Sequence, residues 1–185
     1  MVRYAELHSH TNFSFLDGAS HPADLVRRAA DLGYTALAVT DHHGLYGAAR
    51  FRTAAAEVGL PTVYGVEIGL PQPGAGSPTH PNPRRHPDPE PIPTAPSRRG
   101  RIRRMHGSKP VGVPPTDHLV VLAPDPAGYG ELSRLVTDAQ FRGEKDRPVY
   151  DYDGLAEASH RGGLVALTGC RHGAVPRAAE AGDLA

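Results

Sequence analysis

Short apolar runs alternate with helically spaced apolar positions along most of the chain. Tyr4–Leu7 reads as a first strand. Leu25, Val26, Ala29 and Leu32 then recur at helical spacing, with Ser20 placed to cap, Pro22 in the first turn and Gly33 at the stop. Ala36–Thr40 is short, apolar and bounded, which suits a buried parallel strand. Tyr46–Val58 is Ala-rich and predicts a helix ending at Gly59, and Pro61 opens the run TVYGVEIGL. Further on, His118–Ala123 predicts a strand. Asp125-Pro126 reads as an N-cap and first helical residue, with Tyr129, Leu132, Val136 and Ala139 on one face. A polar stretch leads to a short helix near Leu155–Ser159, and GLVALT (163–168) is the last clear strand. This alternation predicts an α/β fold with a mostly parallel sheet.

One segment breaks the pattern. Residues 71–115 hold 13 of the 19 prolines and eight basic side chains against Asp88 and Glu90. Proline removes backbone donors and fixes φ, which excludes helix interiors and central strands. The segment therefore reads as a disordered basic insertion between ordered parts 1–70 and 116–185. Its arginine run, RRGRIRR, reads as a solubilising tract before it reads as a nucleic-acid contact. Over all 185 residues, 20 basic and 20 acidic side chains cancel, so no global charge draws the chain to nucleic acid or anionic membrane. One cysteine excludes a disulfide framework. No apolar stretch is long enough for a signal-peptide core or a membrane span.

The 11 histidines change the picture more than the charge does. His8 and His10 follow the first strand, two apart, so both rings point to one side of an extended chain. Asp17 lies just beyond, beside Gly18. Asp41, His42 and His43 follow ALAVT, Glu67 lies near the end of TVYGVEIGL, and Cys170 follows GLVALT. Ligand-type residues thus gather after strand ends, where parallel α/β sheets carry function. His118 opens its strand and fits that rule less neatly. Imidazoles, carboxylates and a thiolate suit a cluster of divalent ions, and two ions can share an activated water at phosphorus. Plainer roles stand beside these. Asp41 can cap the next helix, Asp17 can serve the turn, and Cys170 can be a small buried hydrophobe. Glu67 resists a plain reading, because a buried unpaired carboxylate is costly. His21, His80, His86, His106 and His160 read as solvated bystanders.

The runs ELHSHTNFSFLDGAS, LAVTDHHGLYG and YGVEIGL resemble the polymerase and histidinol phosphatase (PHP) family. With HLVVLAPDPAGYGELSRLV and GLVALTGCRHGAVP, they are most similar to the N-terminal PHP domain of bacterial C-family DNA polymerase alpha subunits. AQFRGEKDRPVYD resembles the error-prone branch. The resemblance implies a distorted (β/α)7 barrel with up to three zinc, manganese or iron ions at its C-terminal face. It places the ligands on His8, His10, Asp17, His42, Glu67, His118 and Cys170. It gives Asp41 a supporting role in orienting His42, and His43 no ligand role.

By that resemblance, residues 1–185 form one partial PHP domain with 71–115 inserted in it. The family's final Asp-x-His pair has no counterpart before Ala185. The barrel is thus expected to be incomplete at the C-terminus, the chain a piece of a longer polypeptide or a shortened product, and its own phosphoesterase activity weak. In the complete domain the resemblance implies 3′-5′ exonuclease or pyrophosphatase-type hydrolysis. DNA and other replication or repair proteins would be partners through the full-length polymerase, in the cytoplasm and without a membrane. The alternatives are a non-catalytic, metal-stabilised scaffold and a free-standing histidinol-phosphatase-like enzyme.

Overall fold

The computed structural model describes residues 3–72, 116–144, 147–169 and 173–182. Ten elements follow in order: β1 (Ala5–Glu6), α1 (Pro22–Asp31), β2 (Ala36–Val39), α2 (Ala48–Val58), β3 (Thr62–Pro71), β4 (Thr116–Ala123), α3 (Pro126–Arg142), α4 (Tyr152–Gly162), β5 (Val165–Leu167) and α5 (Ala174–Ala181). The strands form one open sheet in the order β1-β2-β3-β4-β5, an incomplete α/β barrel.

The sheet is mixed, which corrects the expectation of a mostly parallel one. β1, β2 and β3 pair in parallel, but β4 runs antiparallel to both β3 and β5. The register explains the reversal. Pro71 at the end of β3 faces Thr116 at the start of β4, so the chain re-enters the sheet on the edge it left. A parallel pairing would need a crossover to the opposite edge. The expected insertion lies between these paired residues. Pro71 and Gln72 belong to the ordered part, and 73–115 fall outside the described residues.

Strand parity then sorts side chains between two faces. Val66, Ile68, Leu70 and Val121 pack with Leu132, Leu135 and Ala139 of α3 and Ala158 of α4. Leu37 and Val39 pack with Val26 and Ala29 of α1 and Phe51, Ala54 and Ala55 of α2. The opposite face carries a smaller cluster, Ala38, Val120 and Leu122, with Val63 packed against it. Glu67 shares parity with Val63, so β3 presents it away from the helices. Gly65 lies between them, where a Cβ would stand 2.5 Å from Leu122 Cδ2. That close approach of β3 to β4 needs glycine.

Helix boundaries follow local chemistry. Asp125 caps α3 by accepting from the Gly128 N–H at 2.8 Å, with Pro126 following as expected. α1 begins one residue later than expected. His21 holds the N-cap position, and the Ser20 carbonyl instead accepts from Asn12 N–H at 2.9 Å. α5 was not expected from the sequence. Arg177 on it donates to the buried Asp117 of β4 at 2.7 Å, and Gln72 donates to the same oxygen at 3.0 Å.

Candidate metal centre

The ends of β1, β2 and β3 and the beginning of β4 share one edge of the sheet. The reversal of β4 therefore brings His118 to the edge that the other candidates occupy after their strands. At the centre lies Glu67, 2% exposed. Its Oε2 is 2.6 Å from His8 Nε2 and 3.5 Å from His10 Nε2. Its Oε1 is 2.5 Å from His118 Nδ1 and 3.4 Å from His42 Nδ1. One buried carboxylate thus meets four imidazoles. His10 and His42 stack with ring centroids 4.6 Å apart, and His42 meets His118 edge-on at 5.7 Å. On the outer side, His42 Nε2 is 2.6 Å from Asp17 Oδ2, in a half-open position.

These contacts set the electrostatics. Burial alone would raise the Glu67 carboxyl, but hydrogen bonds from His10, His118 and His8 together hold it well below the ordinary carboxylate range. The hydrogen bond with Glu67 raises His10 above the usual imidazole value, against the opposing effect of burial. His43 behaves otherwise. Its ring stacks on Tyr150 with centroids 5.5 Å apart, and burial lowers it to about 4. Its N–H donates to the Glu67 carbonyl at 3.0 Å, with φ at 55°. It serves the backbone of the edge.

Asp41, also 2% exposed, does not cap the following helix, because α2 begins at Ala48 with Gly47 as its N-cap. Its carboxylate accepts from Thr11 N at 2.7 Å, Thr11 Oγ1 at 2.7 Å and Ser14 Oγ at 2.6 Å. Ser14 Oγ in turn lies 3.1 Å from His42 N and 3.2 Å from His10 Nδ1. The Ser14 carbonyl accepts from Asp17 N at 3.0 Å and Gly18 N at 2.8 Å. Gly18 closes this loop so tightly that a Cβ there would stand 2.0 Å from the Thr11 carbonyl oxygen. Thr11 and Ser14 escaped the sequence reading, since neither is a ligand type nor falls on a periodic position. Their signal was the loop between the HxH pair and Asp17, and the depth of that loop was legible only in three dimensions.

Six of the seven expected ligands thus gather at one edge. The seventh, Cys170, lies outside the described residues, as do His80, His86 and His106. The donor set fits a divalent ion. His8, His10 and Glu67 each offer an atom, all within 4.8 Å of one another. The separations of 3.0 and 3.5 Å lie near the ligand–ligand edge of roughly 3.3 Å for a tetrahedral zinc with bonds of about 2.0–2.1 Å, and the 2.6 Å His8–Glu67 hydrogen bond would open to admit the ion. Mixed nitrogen and oxygen donors suit zinc, manganese and iron alike.

The chain has relatives among known proteins. The profile of the PHP domain family matches residues 6–184. The chain is 45% identical over 182 residues to the error-prone DNA polymerase of Mycobacterium tuberculosis, covering 98% of this chain and 14% of that protein. It is 44% identical over 179 residues to that of Cutibacterium acnes, covering 95% and 13%. It therefore spans only about a seventh of the length of these relatives. Among solved structures, a candidate metal-dependent phosphoesterase from Bifidobacterium adolescentis is similar at 22% identity and TM-score 0.43, over 75% of this chain and 34% of that one. An amidohydrolase from Chromobacterium violaceum is similar at 26% identity and TM-score 0.42, over 73% and 32%.

Proposed function

The chain belongs to the PHP domain family, and on that premise we propose that its His/Glu cluster is a divalent-metal centre for phosphoester hydrolysis, within the PHP part of an error-prone DNA polymerase. The observation that carries this reading is Glu67, a buried carboxylate met by four imidazoles from three other strand ends. Burying a carboxylate is costly unless it is paired or coordinates metal. The proposed ligands are His8, His10, Asp17, His42, Glu67, His118 and Cys170, for up to three zinc, manganese or iron ions. Such ions supply Lewis-acid stabilisation of charge at phosphorus and lower the pKa of water.

The chain's own residues do the rest. Glu67, kept anionic by its histidines, offers two oxygens on opposite sides of the cluster. His8 and His10 approach one oxygen, and His118 and His42 approach the other. Asp17 sets a carboxylate at the open side, beside His42. The proposed substrates are a 3′ DNA terminus or pyrophosphate. The proposed setting is the cytoplasm, with DNA and replication or repair proteins as partners of the whole polymerase. No helix among the described residues is long and apolar enough to cross a membrane. We read 1–185 as one domain, with the basic stretch inserted between β3 and β4.

A second reading has an observation of its own. The cluster ties the ends of four strands together, so bound ions would also brace the sheet as a scaffold. Metal analysis of the purified chain, melting with and without chelator, and hydrolysis of a 3′-ended primer, pyrophosphate and a generic phosphodiester with manganese separate the two. Metal with turnover that Glu67→Gln abolishes supports the enzyme. Metal with a chelator-sensitive melting temperature and no turnover supports the scaffold. A chain free of metal, with melting indifferent to chelator, sinks both.

A further inference from the structure

We propose that Ser14, anchored by Asp41, fixes the tautomer and aim of His10, and is a positioning residue of the metal centre. This rests on the reading of the cluster as a metal site. Ser14 is 1% exposed, so its partners are protein groups. Its hydroxyl has one proton and two lone pairs. Three groups surround the oxygen: Asp41 Oδ1 at 2.6 Å, His42 N at 3.1 Å and His10 Nδ1 at 3.2 Å. A carboxylate accepts, so the hydroxyl proton goes to Asp41. A backbone N–H donates, so His42 takes one lone pair. The remaining lone pair faces His10 Nδ1, which must therefore carry the hydrogen.

Neutral imidazole has a single N–H. As imidazolium, His10 carries hydrogen on both nitrogens and turns Nε2–H toward Glu67; when that hydrogen leaves, Nδ1–H is kept by Ser14 and the lone pair lies on Nε2. That atom is 3.0 Å from His8 Nε2 and 3.5 Å from Glu67 Oε2, where the ligand atoms converge. Ser14 thus holds the ring in the form that can bind a cation, and holds its plane. Asp41 makes the arrangement one-way. Its other oxygen accepts from Thr11 Oγ1, which itself accepts from Phe13 N at 3.1 Å, so no alternative proton path is open. The outer partner of a ligating histidine is usually a carboxylate, a carbonyl or water. Here a serine relays the carboxylate, and its carbonyl also holds the N–H of Asp17.

The tautomer can be read by two-dimensional 1H–15N correlation on the full chain labelled at histidine nitrogen. The spectra are taken with zinc alone as the added ion, and again on the metal-free protein at a pH where the ring is neutral. The expected result is a proton on His10 Nδ1 in both. A proton on Nε2 overturns the proposal. Zinc affinity, measured by competition with a chelator, should fall about 10–100-fold in Ser14→Ala. Ser14→Thr keeps the hydroxyl and should recover most of it. A Ser14→Ala protein that matches the wild type to about twofold overturns the proposal. If Ser14→Ala does not fold, the wild-type tautomer decides alone. If the wild type takes up no metal, the metal reading has failed, and the metal-free spectrum still decides whether Ser14 holds the Nδ1 proton.

Discussion

Glu67, on β3, and Asp41, just past the end of the neighbouring β2, are carboxylates at one sheet edge, each 2% exposed, and their surroundings differ in kind. Glu67 is met by imidazoles, groups that can give up a proton or take a metal ion. Asp41 is met by two hydroxyls and a backbone N–H, groups that do neither near neutral pH. Burial therefore does not distinguish a functional carboxylate from a structural one. The chemistry of the partners does. A carboxylate among exchangeable partners can change state, whereas one among fixed donors holds a loop in place.

Breaking the Glu67 side should give the largest effect. Glu67→Gln keeps the volume but loses the charge, and metal affinity should fall by about 100-fold or more, measured by chelator competition. Retention of wild-type metal content would return Glu67 to a structural role. Breaking the Asp41 side should act on the fold first. Asp41→Ala leaves three donors without their acceptor and should cost about 2–4 kcal/mol in urea unfolding with chelator present. A change below about 0.5 kcal/mol would mean that water or another group replaces the carboxylate.

Acidity sharpens the contrast in the metal-free protein. Glu67 is lowered on folding, so its contribution is present above the ordinary carboxylate range and is lost only as pH falls toward its depressed value. His10 is raised, so its contribution is full below about 6.5 and is lost as pH climbs through the raised value. The ion-paired cluster should therefore be most stabilising in mildly acidic solution. Metal binding, which competes with those protons, should add more stability as pH rises through neutrality. His43 runs the other way. Lowered to about 4, it favours the folded state above 6.5 and loses that preference as pH falls toward 4. Ring C–H titration by NMR separates the two, and the account fails if His43 titrates above His10. The smallest effect belongs to a third carboxylate, the exposed Asp125 cap of α3. Asp125→Ala should cost about 1 kcal/mol by urea unfolding and leave metal affinity unchanged.

Most elements were legible because their signals are local. Asp125-Pro126 announces α3, and Gly59, with φ at 67°, ends α2. Glu67 stood out because a buried unpaired carboxylate is costly, the HxH pair because its spacing turns both rings to one side, and His42 through the family resemblance alone. The direction of β4 was not legible, because a strand's own residues do not say which neighbour it will pair with. His118 seemed misplaced for that reason alone. Asp41 looked like a cap because a helix follows it in sequence. Its partners, Thr11 and Ser14, come from about thirty residues earlier and meet it only after β1 and β2 pair.

The stretch from His8 to Gly18 and the Asp41-His42 dipeptide are tied to each other through Thr11 and Ser14, and to their surroundings through Glu6, Ala38, Thr40 and Glu67. Anyone transplanting the two-histidine motif to another parallel βαβ scaffold would need to carry this whole module. The histidines alone would arrive with free-spinning rings. Moved together with Thr11, Ser14, Gly18 and Asp41, they would bring much of their own mould, and the host would have to supply two adjacent strand ends, partners for Ser9 like Ala38 and Thr40, and a carboxylate facing the rings.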